Sequence, residues 1–200
     1  MLAAALRLID REGLQALTMR RLGRELGVEA MSLYNHVRGK EDLLDGVVEL
    51  LAREVEIPSV GSWDDRLREV VRGYRGLARL HPNAFPLIAL RPLNTRGSLE
   101  PIEATLTIAC SAGFDVEASM LAVRVLASYA SGYALSELNG FGLEGEAGAL
   151  DAQALPADSF PLLRALAPQL RSQNHDVEFE RGLELIMTAL RASADPREAR

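Results

Sequence analysis

The hydrophobic residues of this chain recur every three or four positions along most of its length, the spacing at which side chains share one face of an α-helix. Near the start, Leu2, Leu6 and Ile9 form such a face, and Gly13 ends it. No stretch alternates strictly between apolar and polar residues as a half-buried strand would. The pattern therefore predicts an all-α protein.

Two short helices are predicted next, joined by a turn at Gly27. Thr18 stands where an N-cap would precede the first of them, and Leu22 and Leu26 share its apolar face. The second short helix is predicted to run from about residue 29 or 30 to residue 36. Together with the first helix of the chain, they predict a small three-helix N-terminal domain.

A break in this pattern at residues 56–62 indicates a domain boundary, because a proline and a glycine there disfavour a continuing helix. We therefore divide the chain into an N-terminal domain of residues 1–45, a connecting fourth helix over about residues 41–56, and a larger C-terminal domain of residues 57–200. In the C-terminal domain, the apolar spacing predicts helices over residues 63–80, 99–112, 116–139, 159–171 and 176–193.

Composition supports the helical prediction and adds an uneven charge. Aromatic residues make up only 5% of the 200, while leucine and alanine dominate, a mixture that favours helices over sheets. Residues 1–40 carry seven arginines and lysines against four acids, a balance of +3, so the rest of the chain carries −9 to give the net charge of −6. We therefore expect any contact with a polyanion at the N-terminal end.

The reactive side chains give no sign of catalysis or of a cofactor. His36, His81 and His175 are far apart in sequence, and no glycine-rich phosphate loop follows a strand. The single cysteine, Cys110, excludes a disulfide within the chain and a Cys-rich zinc site. We therefore expect no enzyme activity, no cofactor and no metal site.

Membrane and export signals are also missing from the sequence. No apolar run approaches the roughly 20 residues that span a bilayer. Charged residues such as Arg7 and Asp10 interrupt the N-terminal segment too early for a signal peptide. We expect a cytoplasmic protein without a membrane partner.

The two short helices have the spacing of a helix-turn-helix. Gly27 suits the tight turn between them, and the small Gly23 lies four residues earlier, where the helices must approach each other. In such a pair the second helix enters the DNA major groove, and its N-terminal residues reach the base edges. This motif predicts binding to double-stranded DNA.

The same region resembles a known family of regulators. Residues 16–45, which read ALTMRRLGRELGVEAMSLYNHVRGKEDLLD, are similar to the DNA-binding domain of the tetracycline-repressor (TetR-type) family. Four later segments are similar, in the same order, to parts of the tetracycline repressor's C-terminal domain: SW at 62–63, RP at 91–92, PLLRAL at 161–166 and FERGLELIMTAL at 179–190.

This resemblance implies a function. Members of the family are transcriptional regulators, and the expected one here is a repressor that binds a palindromic operator as a homodimer and is released by a small-molecule effector. A transcriptional activator, or a DNA-binding protein of the same fold without an inducer, is the alternative. A helical small-molecule carrier or an enzyme is a more distant alternative, because no sequence motif supports catalysis.

The resemblance also implies roles for individual residues. Arg20 would read a base from the start of the second helix, while the hydroxyl, imidazole and ammonium groups further along would hold phosphates. The implied DNA-contacting residues are Thr18, Arg20, Ala30, Met31, Ser32, Tyr34, His36 and Lys40.

In the C-terminal domain, the resemblance implies an effector pocket and a two-fold interface. The expected pocket residues are Tyr74, Phe85, Ile88, Leu90, Arg91, Met120, Tyr129 and Tyr133. The expected dimer-interface residues are Leu121, Val125, Ser128, Gly132, Leu183, Ile186, Met187 and Leu190. For both sets, packing within the chain's own core is the alternative interpretation.

One departure from the tetracycline repressor concerns the effector itself. That protein binds its drug as a magnesium chelate, using a histidine shortly before the RP pair. Residues 86–92 of this chain read PLIALRP and contain no histidine. We therefore predict an effector other than tetracycline and no requirement for a divalent metal.

Overall fold

The computed structural model describes residues 1–140, 152–171 and 174–194, and every regular element in these ranges is a helix. The all-α prediction is confirmed. Short 3₁₀ turns occur at Leu14–Ala16 and Ala152–Ala154. The α-helices are α1 Leu2–Glu12, α2 Met19–Leu26, α3 Ala30–Leu33, α4 Lys40–Glu54, α5 Trp63–Leu80, α6 Phe85–Leu90, α7 Arg96–Ser111, α8 Val116–Asn139, α9 Pro161–Arg171 and α10 His175–Ala194.

The third helix is shorter than the sequence pattern predicts. It ends at Leu33, and the chain continues to residue 36 in hydrogen-bonded turns. In these turns the amide of Asn35 donates to the carbonyl of Ser32 over 3.3 Å, and that of His36 donates to the carbonyl of Leu33 over 3.0 Å. The segment therefore keeps a compact shape without being a regular helix.

The pattern also missed α6. The proline-rich sequence before it is typical of a loop, yet Pro86 occupies the first turn of α6, where a missing amide hydrogen is tolerated. The amide of Phe85 donates to the carbonyl of His81 over 2.7 Å, so α6 follows directly on the end of α5. Burial of Phe85, Leu87 and Ile88 stabilises this short helix.

The chain divides into two compact units, Met1–Ser131 and Gly132–Arg200. The first contains α1 to α7 and most of α8, and the second contains the last turns of α8 followed by α9 and α10. The predicted end of the DNA-binding domain at residue 45 and the predicted start of the C-terminal domain at residue 57 both lie inside the first unit. They stay predictions.

Helix α4 is the central element of the first unit. It packs against α1, α6 and α7, and its Leu43, Val47 and Leu51 have no exposed surface. Two glycines permit close approach of the neighbouring helices. A Cβ at Gly46 of α4 would lie 2.6 Å from the side chain of Leu2 of α1. A Cβ at Gly97 of α7 would collide with the carboxylate of Glu49 of α4. Helix α4 is therefore held tightly between α1 and α7.

Among the described residues of the second unit, α10 provides the largest buried apolar side chains. Phe179, Leu183 and Met187 have no exposed surface, and the ring of Tyr133 meets that of Phe179 edge-on, with 5.2 Å between centroids. The hydroxyl of Tyr133 donates to the backbone carbonyl of His175 over 2.9 Å. This contact fixes the start of α10 against the end of α8.

Among the described residues, no single helix is long and apolar enough to cross a membrane. By length and composition alone, α7 and α8 could do so only as a pair, and that pair is bent by 118°.

The close approach at Gly23 can be tested by substitution. A Cβ there would lie 2.8 Å from the carbonyl oxygen of Val28 and 3.1 Å from the amide nitrogen of Ala30. Because backbone atoms cannot move aside easily, we expect Gly23→Ala to destabilise the protein by about 1–3 kcal/mol. Thermal unfolding followed by circular dichroism would then give a melting temperature several degrees lower.

The matched control is Gly76→Ala. Gly76 is also a helical glycine, but nothing lies within 4 Å of its Cβ position. Alanine there should be neutral or stabilising by up to about 1 kcal/mol, because it favours the helix. Equal melting temperatures for the two variants would contradict the close helix approach at Gly23.

Candidate DNA-binding surface and effector cavity

The turn between α2 and α3 is defined by a cap at each end of α2. The hydroxyl oxygen of Thr18 accepts a hydrogen bond from the amide of Arg21 over 3.2 Å. Thr18 is therefore the N-cap of α2, as predicted. Gly27 ends α2 in the left-handed conformation, with φ of 70°, where glycine is favoured. The amide of Val28 then donates to the carbonyl of Gly23 over 2.9 Å, which closes the turn.

We call residues 30–36, which comprise α3 and the turns after it, the recognition segment. Leu33 anchors this segment in the core with 3% of its surface exposed, and Val37 just beyond it is also buried. Met31 and Tyr34, by contrast, are 72% and 47% exposed. The structure thus presents the segment's outer face to solvent, where an incoming DNA groove could reach it.

The other residues that we predict at the DNA lie on the same accessible surface. Thr18, Arg20, Ser32 and His36 are exposed, and Ala30 and Lys40 are half-buried. None of the eight predicted DNA-contacting residues is therefore buried in the core. Their individual contacts with DNA stay predictions.

Ion pairs distinguish Arg20 from Arg11 and Arg21. Arg21 pairs with Glu12 at the end of α1, and Arg11 forms a two-point pair with Glu25, with nitrogen-oxygen distances of 3.0 and 3.3 Å. Arg20 is exposed and forms no ion pair with any residue that the structure describes. Its guanidinium is therefore available for a base or a phosphate.

His81 links three elements of the first unit, a role that sequence reasoning missed. It caps the end of α5, its Nδ1 lies 2.7 Å from Asp10 of α1, and its Nε2 lies 2.8 Å from Glu54 of α4. The carboxylates contact different ring nitrogens, and a neutral imidazole has only one N–H to donate, so both hydrogen bonds require the protonated ring. We call these contacts the histidine bridge.

Electrostatics favour that protonated form. Burial alone would lower the pKa of His81, but the hydrogen bonds from its ring to Asp10 and Glu54 outweigh burial and raise the pKa above its ordinary value. The amide nitrogen of the nearby Asn83 also donates to the backbone carbonyl of Asp10 over 2.8 Å. The end of α5 is thereby attached to α1 by two separate groups.

Arg91 makes a second polar link to α4, which we call the arginine bridge. Its guanidinium donates to Glu41 over 2.8 Å and to Asp45 over 2.7 Å, both in the first turns of α4. The histidine bridge holds Glu54 at the other end of the same helix. Residues 81–91, which include α6, therefore hold α4 at both ends.

A cavity of about 600 Å³ lies in the first unit. Its wall is formed by residues of α5, α6, α7 and α8, together with Ala52 of α4 and Val55 just after it. Three of the predicted pocket residues, Tyr74, Ile88 and Met120, line this cavity.

The other five predicted pocket residues do not line this cavity, and their place in an effector pocket stays a prediction. Phe85 is fully buried against Tyr74, with 5.5 Å between ring centroids, and Leu90 is 72% exposed at the surface. Arg91 is engaged in the arginine bridge. Neither Tyr129 nor Tyr133 lines the cavity, and Tyr133 belongs to the second unit.

The predicted dimer-interface residues fall into two groups. On α8, Leu121 and Val125 are 64% and 41% exposed, and Ser128 and Gly132 are exposed as well, so this face is available to a partner. On α10, Ile186 and Leu190 are half-buried.

Two interface assignments on α10 need correction. Leu183 and Met187 have no exposed surface, because they pack inside the chain and have no side-chain surface left for a partner. Leu185, which the apolar spacing did not single out, is 75% exposed on the same helix.

No cluster of histidine, cysteine and acidic residues in the described ranges could hold a metal ion. The described residues that line the cavity also include no histidine and no carboxylate. This lining provides none of the side chains that most often bind divalent metals in proteins.

A capped helix, a glycine turn and an exposed recognition segment define a helix-turn-helix DNA-binding protein. Residues 1–47 match the family described as bacterial regulatory proteins, tetR family, and residues 57–194 match the tetracyclin repressor-like C-terminal domain. The chain belongs to the TetR family. It is a DNA-binding transcriptional regulator and not an enzyme.

Two relatives illustrate the likeness. The chain is 32% identical over 198 residues to the class A tetracycline repressor of transposon 1721 from Escherichia coli, covering 94% of this chain and 87% of that protein. Apo ActR from Streptomyces coelicolor has 32% identity and a TM-score of 0.85, covering 96% of this chain and 93% of that one. A structure of ActR in complex with actinorhodin has a TM-score of 0.84 at the same identity, covering 98% and 95%.

The histidine bridge predicts a particular pH dependence of stability. A histidine whose pKa is raised by folding stabilises the native state below its ordinary pKa of about 6.5, and this contribution is lost as the pH rises through the higher native value. We therefore expect wild type to exceed His81→Gln in stability at pH 6 and the difference to shrink towards pH 9. Urea midpoints measured across this range would reveal it.

The matched control is His36→Gln, which removes an exposed histidine that forms no ion pair within the described residues. Its stability relative to wild type should vary little over the same pH range. If the difference in stability between wild type and His81→Gln were also constant from pH 6 to pH 9, the charged histidine bridge would be refuted.

Proposed function

We propose that this protein is a ligand-responsive repressor that binds a palindromic operator as a homodimer and is released by a small molecule. One observation carries the proposal. The cavity is lined by Ala52 and Val55 at the end of α4, while the start of α4 lies only a few residues beyond the recognition segment. A molecule in the cavity would therefore contact the helix that leads to the DNA-binding surface.

The proposed DNA contacts use the exposed basic end of the chain. Arg20 and the first residues of the recognition segment would meet base edges, whereas Tyr34, His36 and Lys40 would hold phosphate oxygens. A homodimer would bring two recognition segments into successive major grooves, about 34 to 36 Å apart. The operator would then share the two-fold symmetry of the protein.

The proposed dimer uses the exposed faces of α8 and α10. Leu121 and Val125 would provide apolar contacts, and the small residues Ser128 and Gly132 would let a partner helix approach closely. On α10, the exposed Leu185 would provide a further apolar contact. Because a two-fold interface uses the same patch on both subunits, these residues would face their own copies or neighbours.

The proposed release follows from the connection between the cavity and α4. Ile88 of α6 lines the cavity, and α6 is followed directly by Arg91, which holds Glu41 and Asp45. A ligand that fits the cavity only when α6 or α4 has moved would favour that arrangement and disfavour DNA binding. The complex of ActR with actinorhodin supports a small molecule as effector.

We also propose a cytoplasmic location without a membrane partner, since the operator of a bacterial regulator lies in the cytoplasm. An effector other than a magnesium chelate of tetracycline agrees with a cavity lining that has no histidine or carboxylate among its described residues.

Removal of the Arg20 side chain tests the proposed base contact. We expect Arg20→Ala to weaken binding to DNA from upstream of the protein's own gene by about 1–3 kcal/mol, roughly 5- to 150-fold, and to relax preference at one base pair. Fluorescence anisotropy titrations with this DNA and with single-base variants would measure both effects.

The control is Arg21→Ala, which removes the same charge from the next position. Because Arg21 is already paired with Glu12, its loss should weaken DNA binding by a much smaller factor. Equal losses for both variants would mean that Arg20 contributes only charge, and unchanged binding in Arg20→Ala would refute its role.

Tyr34→Phe tests the proposed phosphate contact without disturbing the ring. The lost hydroxyl should weaken DNA binding by about 0.5–1.5 kcal/mol, because one hydrogen bond is removed. A phosphate contact carries no sequence information, so the same anisotropy titrations should give a similar loss for operator and for unrelated DNA. A loss confined to one base pair would instead assign Tyr34 to base reading.

A further inference from the structure

We propose that the effector is a lipophilic organic acid, whose ionised group binds Arg124 at the mouth of the cavity while an acceptor oxygen deeper in the molecule accepts a hydrogen bond from Tyr74. This inference rests on the proposed function of the cavity as the effector site. Its basis is the small set of polar groups on the cavity wall that are free to bind a ligand.

Most of the wall is aliphatic. Val70 and Val71 of α5, Ile102 of α7 and Met120 and Leu126 of α8 are typical of its residues. A volume of about 600 Å³ is within the range that holds a drug-sized molecule, and such a lining favours an apolar body. Specificity must then come from the few polar side chains.

Among the described lining residues, the side chains that carry polar groups are those of Tyr74, Ser98, Thr105 and Arg124. Two of these side chains already donate their hydroxyl hydrogens to backbone carbonyls. Ser98 donates to the backbone carbonyl of Thr95 over 2.9 Å, and Thr105 donates to the carbonyl of Pro101 over 2.7 Å. Neither can donate to a ligand without breaking a hydrogen bond within α7 or to its N-cap residue, Thr95.

Tyr74 keeps a hydrogen to donate. Its hydroxyl oxygen accepts a long hydrogen bond of 3.4 Å from the hydroxyl of Ser131, so its own O–H is not used in that contact. Burial raises the pKa of Tyr74, and the phenol is therefore protonated at neutral pH. This side chain favours an acceptor on the ligand, such as a carbonyl oxygen.

Arg124 provides the one formal charge among the described lining residues. It is exposed, as are its fellow lining residues Leu99 and Ala127, so these three mark where the cavity meets solvent. Arg124 forms no ion pair or hydrogen bond within the part of the chain that the structure describes. Its planar guanidinium can hold an acidic group through two parallel hydrogen bonds.

Together these groups define the chemistry of the ligand. Tyr74 and Arg124 are the side chains of the described lining that can still donate a hydrogen bond to a ligand. The described lining contains no carboxylate that could pair with a cationic ligand. A basic amine would therefore face an uncompensated arginine. An apolar molecule with an acid at one end matches both the wall and the mouth.

Two fluorescent probes with the same ring skeleton test this inference. 1-Anilinonaphthalene-8-sulfonate carries an anionic group, whereas N-phenyl-1-naphthylamine is the neutral equivalent. We expect Arg124→Gln to weaken binding of the anionic probe about tenfold, as loss of a charge-assisted hydrogen bond predicts, and to leave the neutral probe unaffected. Arg124→Lys should recover part of the lost affinity for the anion.

The control variant is Arg96→Gln, which removes an equal charge from α7 at a side chain that is 93% exposed and outside the cavity lining. It should bind both probes as wild type does. Circular dichroism of each variant establishes that it is folded, because unfolding would also change probe fluorescence.

The outcomes separate this inference from the proposed function. If Arg124→Gln bound the neutral probe and also kept wild-type affinity for the anionic probe, only the inference of an acidic ligand would be overturned. Equal losses of both probes would also overturn it, since Arg124 would then act through packing. If wild type bound neither probe, the cavity would not be a ligand site, and the proposed effector release would fail as well.

Discussion

The burial of α4 between α1 and α7 is the constraint on which the rest of the first unit depends. Its apolar face is buried, and at Gly46 and Gly97 the neighbouring helices come too close for a side chain to fit. Since protein interiors are close-packed, a change on one side of α4 cannot be absorbed locally. The rigid α4 therefore connects the recognition segment, which ends a few residues before it, to the cavity, which Ala52 of α4 lines.

The features that could be predicted from sequence are those in which a residue acts on its near neighbours. The caps at Thr18 and Gly27, the buried Leu33 and the break before α5 all depend on residues a few positions apart. Such patterns directly reflect helix periodicity and backbone preference. Tyr74, Ile88 and Met120, which the structure brings to one cavity, are expected in a pocket from the family resemblance and not from spacing.

What could not be predicted depends on which distant residues meet. His81 follows the pattern of a loop, and only the folded chain brings Asp10 and Glu54 to opposite sides of its ring. In the same way, Leu183 and Leu185 are both apolar residues of α10, but one is fully buried and the other exposed. Sequence spacing identifies a helix, whereas tertiary packing decides what each face contacts.

The internal ion pairs of the DNA-binding region also affect how salt would act on operator binding. Each phosphate that a protein neutralises releases counterions from DNA and adds about 0.9 to the slope of log affinity against log salt. Arg11 and Arg21 already have Glu25 and Glu12 as their own counterions. The count of basic residues in this region therefore overstates the number of ions that complex formation would release.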